Sequence, residues 1–139
     1  MHFELVELKV KERVSSKELR GRTGAFPGRE IDLRYLVLKA GREVAFLWYD
    51  LFPTDFYVVL YEMYVAKRFR GQGIGSELLL RTEDLAMKRV YKRVLVRPMP
   101  LSDGIGRERL IGWYERHGFR EMQDQPGIYV KDFSLGSSG

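Results

Sequence analysis

The chain of 139 residues contains no cysteine and only two histidines, His2 and His117. Without cysteine the protein has no disulfide framework, no thiolate nucleophile and no cysteine-ligated metal. Two histidines do not make a metal site by themselves, so we expect no bound metal. Because disulfide-free chains are typical of reducing compartments, the composition also favours the cytoplasm.

Long apolar runs are missing from the sequence as well. No segment approaches the roughly 20 apolar residues that cross a bilayer, and the N-terminal MHFELVELKV has neither the apolar core nor the cleavage site of a signal peptide. The hydrophobic fraction of 45% and the net charge of +5 are unlike those of a disordered chain. We therefore predict one globular domain over residues 1–133 with no membrane partner, and a flexible tail over 134–139 that is typical of an expression remnant.

Hydrophobic periodicity predicts the order of the strands and helices. Apolar residues alternate in the first half of the chain, as in strands, and recur at helical spacing in two later segments. Strands are expected at residues 3–14, 31–39, 43–52, 56–65, 93–96, 119–122 and 128–133, and helices at 75–89 and 107–117. Residues 15–30, rich in glycine, serine and arginine, are expected to form a loop. The pattern indicates an α/β (α+β) fold with a mixed, mostly antiparallel sheet of about seven strands, in which strands 56–65 and 93–96 form a parallel pair.

The most informative segment is YVAKRFRGQGIGS at residues 64–76. A predicted buried strand runs into Gly71, Gly73 and Gly75, and a predicted helix follows at once. Glycine lets the backbone approach a ligand closely, and the amides and dipole at the start of a helix favour anions. With the basic Arg70 beside it, the segment predicts a site for phosphate or pyrophosphate.

Three phosphate-binding signatures compete for this segment. The nucleoside-triphosphate loop requires a lysine after its last glycine, whereas Ser76 follows Gly75 here. The dinucleotide fingerprint G-x-G-x-x-G requires glycine at position 76 and an acidic residue at the end of the next strand, but that strand leads into Arg97. The third signature, Arg-x-x-Gly-x-Gly, matches residues 70–75.

With this signature and two further matches, the chain resembles the GNAT superfamily of acetyl-CoA-dependent N-acetyltransferases. The preceding strand reads YEMYV at residues 61–65. The later helix ends in Tyr114-x-x-x-Gly118-Phe119, which is similar to the Tyr-x-x-x-Gly-Phe of the family. The resemblance covers the second half of the chain well and the first 55 residues only by strand order.

The resemblance implies a GNAT-like fold and acetyl-CoA as co-substrate. In that fold strands 56–65 and 93–96 splay apart, and the pantetheine arm lies in the gap like an added strand. The main chain that would hold pantetheine belongs to Met63, Tyr64 and Val65. The amides that would hold the pyrophosphate, with Arg70 close by, belong to Gly71, Gln72, Gly73, Ile74, Gly75 and Ser76.

The resemblance also implies a reaction and its catalytic residues. A primary amine (a small molecule, a polyamine, or a peptide or protein amine) would attack the thioester directly in a ternary complex. Because a lysine-like ammonium has a pKa of about 10.4, it must lose a proton first, and Glu62 is the candidate base or anchor for it. A main-chain amide of strand 56–65 would polarise the thioester carbonyl, and Tyr114 would donate a proton to the leaving thiolate.

The sequence departs from the family pattern in two places. Arg107 and Leu110 stand where family members often carry asparagine and alanine, which leaves the usual contact of that asparagine with pantetheine open. Residues 15–30 are too short and too polar for the two helices that usually wall the acceptor site. We therefore expect an acceptor pocket that is open or differently built, with completion by a second copy in a homodimer as one arrangement.

Other interpretations stay open at this point. The same fold could serve as a catalytically silent acyl-CoA sensor, or the enzyme could use a longer acyl-CoA. A basic RNA-binding module is a third class, which the dispersed lysines and arginines and the lack of an RNA-binding signature argue against. Among single residues, Tyr114 is alternatively a core aromatic, Glu62 a solvated or ion-paired strand residue, and His117 a helix-end residue favoured by the dipole.

Overall fold

The computed structural model describes residues 3–8, 32–99 and 106–133. Of the first predicted strand, Glu4–Glu7 is a strand, and residues 9–14 lie outside the described part. The predicted loop at 15–30 and the predicted tail at 134–139 also lie outside it.

Within the described residues, strands and helices follow the predicted order. The elements are β1 (Glu4–Glu7), β2 (Asp32–Lys39), β3 (Arg42–Phe52), β4 (Tyr57–Val65), α1 (Ile74–Lys88), β5 (Arg93–Val96), α2 (Arg107–Arg116), β6 (Arg120–Glu121) and β7 (Tyr129–Asp132). A single 3-10 turn at Lys67–Phe69 connects β4 to α1.

Apart from the end of the first strand, where Leu8 already lies outside β1, the element boundaries differ from the predicted ones by at most one residue. The prediction that the fourth strand begins at Phe56 is wrong, because Phe56 has a φ of 61° and belongs to the turn before the strand. Helix α1 begins one residue earlier than predicted, at Ile74, and α2 ends at Arg116 with His117 as its cap residue. Gly118 has a φ of 95°, the left-handed backbone that commonly follows the end of a helix.

All described strands form one mixed sheet with the order β1-β2-β3-β4-β5-β7-β6. Neighbouring strands are antiparallel except β4 and β5, which are parallel and are connected through α1. The predicted mixed, mostly antiparallel sheet of seven strands is therefore confirmed for the described residues, with β4 at its centre.

The two faces of the sheet carry separate apolar clusters. On the helix face a large core joins the strands to both helices and includes Val37, Leu47, Tyr49, Leu60, Leu78, Val94 and Tyr114. On the other face, which we call the Trp48 face, a smaller cluster consists of Leu8, Leu36, Phe46, Trp48, Tyr64 and Ala66. Because successive strand residues point to opposite sides of a sheet, the clusters assign each strand side chain to one face.

Strand β4 is longer than its pairing with β5. The parallel ladder ends at the pair Leu60–Val96, whereas β4 continues to Val65 and stays paired with β3 up to that residue. Beyond Leu60 no described strand pairs with the edge of β4 that faces β5. We call the space beside this edge of β4 the gap. The splay of the two strands that the resemblance implies stays a prediction.

A β-bulge lies at the start of the gap. Trp48 pairs with Glu62, but its neighbour Tyr49 pairs with Leu60, so Tyr61 is an extra residue in β4. A bulge bends a strand and re-aims the side chains that follow it. Since directly paired residues share one side of a sheet, Glu62 points to the same side as Trp48.

Candidate active site

The turn between β4 and α1 has a backbone that requires glycine at two positions. Gly71 and Gly73 each have a φ of 80°, a left-handed value that residues with a Cβ rarely adopt. Gly73 is also the N-cap residue of α1. The two glycines therefore allow the chain to change from a turn into a helix within a few residues.

The segment of residues 71–76, which we call the glycine turn, carries backbone amides that have no hydrogen-bond acceptor among the described residues. The first hydrogen bond of α1 runs from the N–H of Glu77 to the carbonyl of Gly73 at 3.2 Å, so the amides before it have no acceptor within the helix. No described residue accepts a hydrogen bond from an amide of the glycine turn, and residues 71–73 are exposed. Together with the positive end of the helix dipole, these amides favour a bound anion.

Arg70, which the sequence places near the pyrophosphate, turns back towards the end of β4. Its Nε donates a hydrogen bond to the carbonyl of Val65 at 2.8 Å, and its guanidinium lies 5.1 Å from the centre of the Tyr64 ring. Arg70, which directly precedes the glycine turn, therefore connects this turn to the end of β4 through its contacts with Val65 and Tyr64. The Val65 carbonyl, a predicted pantetheine contact, already accepts this bond and has a second lone pair for another. A contact of Arg70 with pyrophosphate stays a prediction.

Helix α2 packs against the first turn of α1. A Cβ added at Gly75 would lie 3.5 Å from Cζ2 of Trp113, and Oγ of Ser76 is 3.0 Å from Nε2 of His117. The His117 ring lies 4.4 Å from the Trp113 ring. The glycine turn and the helix that carries Tyr114 therefore form one packed unit.

Tyr114 lies in the core with other rings against it. Trp113 and Phe119 contact its ring edge to face, with centroids 5.0 and 5.5 Å away, and 5% of the residue is exposed. Its hydroxyl has no hydrogen-bond partner in the part of the chain that the structure describes. Burial raises the pKa of Tyr114 above its ordinary value of 10.0. The hydroxyl therefore stays protonated across the neutral range and is able to donate a proton.

Glu62 is half-buried on the Trp48 face, in aromatic surroundings. It pairs across the sheet with Trp48, whose ring lies 5.3 Å from the Tyr61 ring and 4.6 Å from the guanidinium of Arg34. Tyr61 is 47% exposed. This face therefore offers a carboxylate beside large aromatic rings next to the gap, a combination that suits an ammonium group.

Two features of this region are not predicted from the sequence. Asp50 of β3 is fully buried and lies two residues from Trp48, on the same face. Its only signal in the sequence is a charged residue within the apolar stretch VAFLWYDLF. The contact between Ser76 and His117 joins residues 41 positions apart, and no local pattern contains such a pairing.

Arg107 and Leu110, which stand where family members often carry asparagine and alanine, both lie on α2. Arg107 is the first residue of the helix, and Leu110 packs against the core of the helix face. Leu110 therefore has a structural reason to be apolar.

A family model described as an acetyltransferase (GNAT) domain matches residues 32–121. This chain belongs to that family. The match includes the glycine turn and Tyr114, and it extends back to β2 and β3. In this GNAT chain residues 32–55 are thus related to the family by more than strand order.

Solved GNAT structures share this fold at low sequence identity. A GNAT family acetyltransferase from Elizabethkingia anophelis with acetyl-CoA bound has a TM-score of 0.66 at 17% identity, over 94% of this chain and 98% of that chain. An IAA acetyltransferase from Bacillus cereus ATCC 14579 has a TM-score of 0.64 at 13% identity, over 95% and 100%. The PaiA N-acetyltransferase from Thermoplasma acidophilum in complex with coenzyme A has a TM-score of 0.59 at 15% identity, over 73% and 61%. A comparison with curated protein sequences finds no match.

Neither of the helices in the described residues is long and apolar enough to span a membrane. Across residues 3–8, 32–99 and 106–133, no three side chains of His, Cys, Asp or Glu are grouped so that they could hold a metal ion.

Proposed function

We propose that this GNAT chain is an enzyme that transfers an acetyl group from acetyl-CoA to a primary amine. One observation carries the proposal: the edge of β4 that has no described strand partner beyond Leu60 is followed, after one 3-10 turn, by the glycine turn, whose amides have no hydrogen-bond acceptor among the described residues. Coenzyme A joins an amide-containing pantetheine arm to a pyrophosphate. The pantetheine amides match the unpaired edge of β4, and the pyrophosphate matches the amides of the glycine turn that follows it.

The residues at the gap fit this cofactor. The main chain of Met63, Tyr64 and Val65 would pair with the amides of pantetheine, as in the addition of a strand to a sheet edge. The amides of residues 71–76 would hold the pyrophosphate, and the absence of a Cβ at Gly71 and Gly73 leaves the approach to them open. The net charge of +5 favours an anionic ligand as well.

Glu62 would prepare the acceptor. Acetyl-CoA supplies the acetyl group as a thioester. At neutral pH a primary amine is mostly an ammonium, which the carboxylate of Glu62 would bind and deprotonate, directly or through a water molecule. The neutral amine then attacks the thioester carbonyl within the ternary complex. A direct attack suits a chain without cysteine, which has no thiolate to carry the acyl group.

Tyr114 would complete the reaction on the other face of the sheet. The departing thiolate requires a proton, and the hydroxyl of Tyr114 carries one at neutral pH, because the ordinary pKa of tyrosine is about 10 and burial raises it further. A main-chain amide of β4 at the gap would polarise the thioester carbonyl during the attack.

The proposal includes three kinds of acceptor: a small-molecule amine, a polyamine, and a peptide or protein amine. All three present an ammonium that suits the carboxylate and aromatic rings of the Trp48 face. A homodimer that completes the acceptor pocket and a cytoplasmic location, which the lack of cysteine favours, are further parts of the proposal.

Thermal melting with and without acetyl-CoA tests the cofactor site. A ligand at 100 times its Kd stabilises a protein by about 2.7 kcal/mol, which should raise the Tm by several degrees for a chain of this size. Gly73→Glu should remove the shift, because it blocks the glycine turn and repels the pyrophosphate. An unchanged Tm of the wild-type chain at millimolar acetyl-CoA would contradict the proposal.

A panel of primary amines, assayed by the release of free coenzyme A thiol, tests the transfer itself. Binding of acetyl-CoA without turnover of any amine would favour the silent acyl-CoA sensor. Binding of RNA that weakens steeply with salt, without any effect of acetyl-CoA, would favour the nucleic-acid module.

A further inference from the structure

His117 and Ser76 connect two parts of the site on which the proposed function depends. Ser76 is the third residue of α1 and belongs to the glycine turn. His117 is the cap residue at the end of α2. Oγ of Ser76 and Nε2 of His117 are 3.0 Å apart, so an imidazole is in direct contact with the proposed pyrophosphate site.

The other ring nitrogen determines which group donates in this contact. Nδ1 of His117 is 2.8 Å from the carbonyl oxygen of Trp113. Since a carbonyl oxygen only accepts, Nδ1 carries a proton. In the neutral ring Nε2 then has a lone pair and no proton, and the hydroxyl of Ser76 must donate to it. The single hydroxyl proton of Ser76 is therefore directed at His117.

A pyrophosphate oxygen next to Ser76 would require a Ser76 hydroxyl that donates its proton to the anion and not to His117. Its oxygens accept hydrogen bonds and donate none, so a serine whose proton is directed at His117 presents only lone pairs to the anion. If the ring takes up a proton from solvent, Nε2–H donates to Oγ of Ser76, and the serine proton becomes free for a phosphate oxygen. The positive charge of the imidazolium would also attract the anion.

We infer that His117 is a positioning residue for the cofactor: it takes up a proton when the pyrophosphate binds and thereby turns the Ser76 hydroxyl towards the anion. This inference rests on the proposed function, because it requires an anion at the glycine turn. The charged groups that meet His117 from the elements packed around it are Lys131 of β7, whose Nζ is 2.9 Å from the His117 carbonyl, and Glu83 of α1, 3.1 Å from that Nζ. Their opposite charges offset each other, and Lys131 contacts the main chain of His117.

Calorimetric binding of dephospho-CoA from about pH 6 to about pH 8.5 tests the inference. This probe carries the pyrophosphate but lacks the 3′-phosphate, whose second ionisation at about pH 6 would add a proton signal of its own. Titrations in two buffers of different ionisation enthalpy give the number of protons taken up. The wild-type chain should take up as much as about one proton, and its affinity should fall by up to about tenfold per pH unit above neutral pH.

Two variants and one control assign this proton. His117→Gln retains a hydrogen-bonding side chain that does not ionise, and Ser76→Ala removes the hydroxyl. Each variant should bind more weakly than the wild type at low pH. His117→Gln should bind without proton uptake and with an affinity that varies little with pH, whereas Ser76→Ala keeps the imidazole and should take up a smaller fraction of a proton than the wild type. Glu83→Gln leaves both ring contacts of His117 in place, so it should retain the proton uptake. Thermal melting of each variant checks that it is folded.

The outcomes separate this inference from the proposed function. Wild-type binding that does not vary with pH, or proton uptake that persists in His117→Gln, would overturn the role of His117 and leave the cofactor site intact. If Glu83→Gln loses the proton uptake while His117→Gln and Ser76→Ala retain it, the proton belongs to the Glu83–Lys131 pair. This outcome would overturn the inference as well. A wild-type chain that does not bind dephospho-CoA at any pH would overturn both.

Discussion

Glu62 and Tyr114 lie on opposite faces of the β-sheet. Glu62 shares the Trp48 face with the residue it pairs with, and Tyr114 belongs to the core of the helix face. Both faces border the gap that opens where β4 extends beyond Leu60. In the proposed reaction an amine would therefore approach the gap from one side, and the leaving group would receive a proton from the other. The separation also keeps the proposed base and acid from hydrogen bonding to each other.

Replacing Tyr114 by phenylalanine tests whether this residue, on the helix face, donates the proton to the leaving group. The change removes a hydroxyl that has no hydrogen-bond partner among the described residues, so the Tm should change little. We expect kcat to fall by about a hundredfold, the order of magnitude that a general acid supplies. The affinity for acetyl-CoA should stay nearly the same, because the hydroxyl acts on the leaving group and not on the bound cofactor. Steady-state kinetics and calorimetry measure the two effects.

Tyr49→Phe is the matched control for this substitution. Tyr49 is buried in the same core, and its hydroxyl is 2.7 Å from Oγ1 of Thr82. Loss of that hydrogen bond should lower the free energy of unfolding by about 1 kcal/mol and leave kcat unchanged. An unchanged kcat in Tyr114→Phe, or an equal loss in both variants, would contradict the assignment of Tyr114 as the acid.

Glu62→Gln tests the Trp48 face. Glutamine keeps the shape of the side chain but does not accept a proton from an ammonium. We expect kcat/KM at neutral pH to fall by at least about tenfold, and part of the loss to be recovered as the pH approaches the pKa of the acceptor amine. Glu4→Gln, an exposed residue of β1, serves as the control and should leave the pH profile unchanged. If the pH profiles of both variants match that of the wild type, Glu62 takes no part in deprotonation.

Local patterns predict most of the fold but not the face on which Glu62 lies. The change from alternating apolar residues in β4 to helical spacing after Gly73 is visible in the sequence, as is the glycine after the second helix. Simple alternation from Leu60 would put Glu62 on the helix face, because residues two apart in a strand share a side. The bulge at Tyr61 adds one residue and moves Glu62 to the Trp48 face. A bulge depends on how β4 pairs with β3, which a single strand's sequence does not contain.

Gly71 and Gly41 form a matched pair for testing the glycine turn. Their φ angles are 80° and 78°, and a Cβ added at either would meet no atom within 4 Å. Aspartate tolerates this backbone better than most residues do, so Gly71→Asp and Gly41→Asp should lower the Tm by similar amounts. Only Gly71→Asp brings a negative charge to the proposed pyrophosphate site, and we expect it to weaken acetyl-CoA binding by at least about tenfold. Calorimetry that gave the two variants equal affinities would place the pyrophosphate elsewhere.

High pH should destabilise the fold through its buried tyrosines. Burial raises the pKa of Tyr49 and the pKa of Tyr114 above the ordinary value of 10.0. Above about pH 10 the unfolded chain therefore ionises these side chains while the folded chain keeps them protonated. The unfolded state then binds fewer protons than the folded state, and the free energy of unfolding falls as the pH rises. The stabilisation from these groups is complete below about pH 10 and is lost progressively above it.

Urea unfolding between about pH 8 and about pH 11 measures this loss, which should reach about 1.4 kcal/mol per pH unit for each tyrosine above about pH 10. Tyr114→Phe removes one of these groups, so its free energy of unfolding should fall less steeply than that of the wild type. The double variant with Tyr49→Phe should show a smaller slope still, since lysine ionisation is common to all three chains and cancels. Parallel curves above about pH 10 would mean that the folded chain does not hold the Tyr114 hydroxyl protonated.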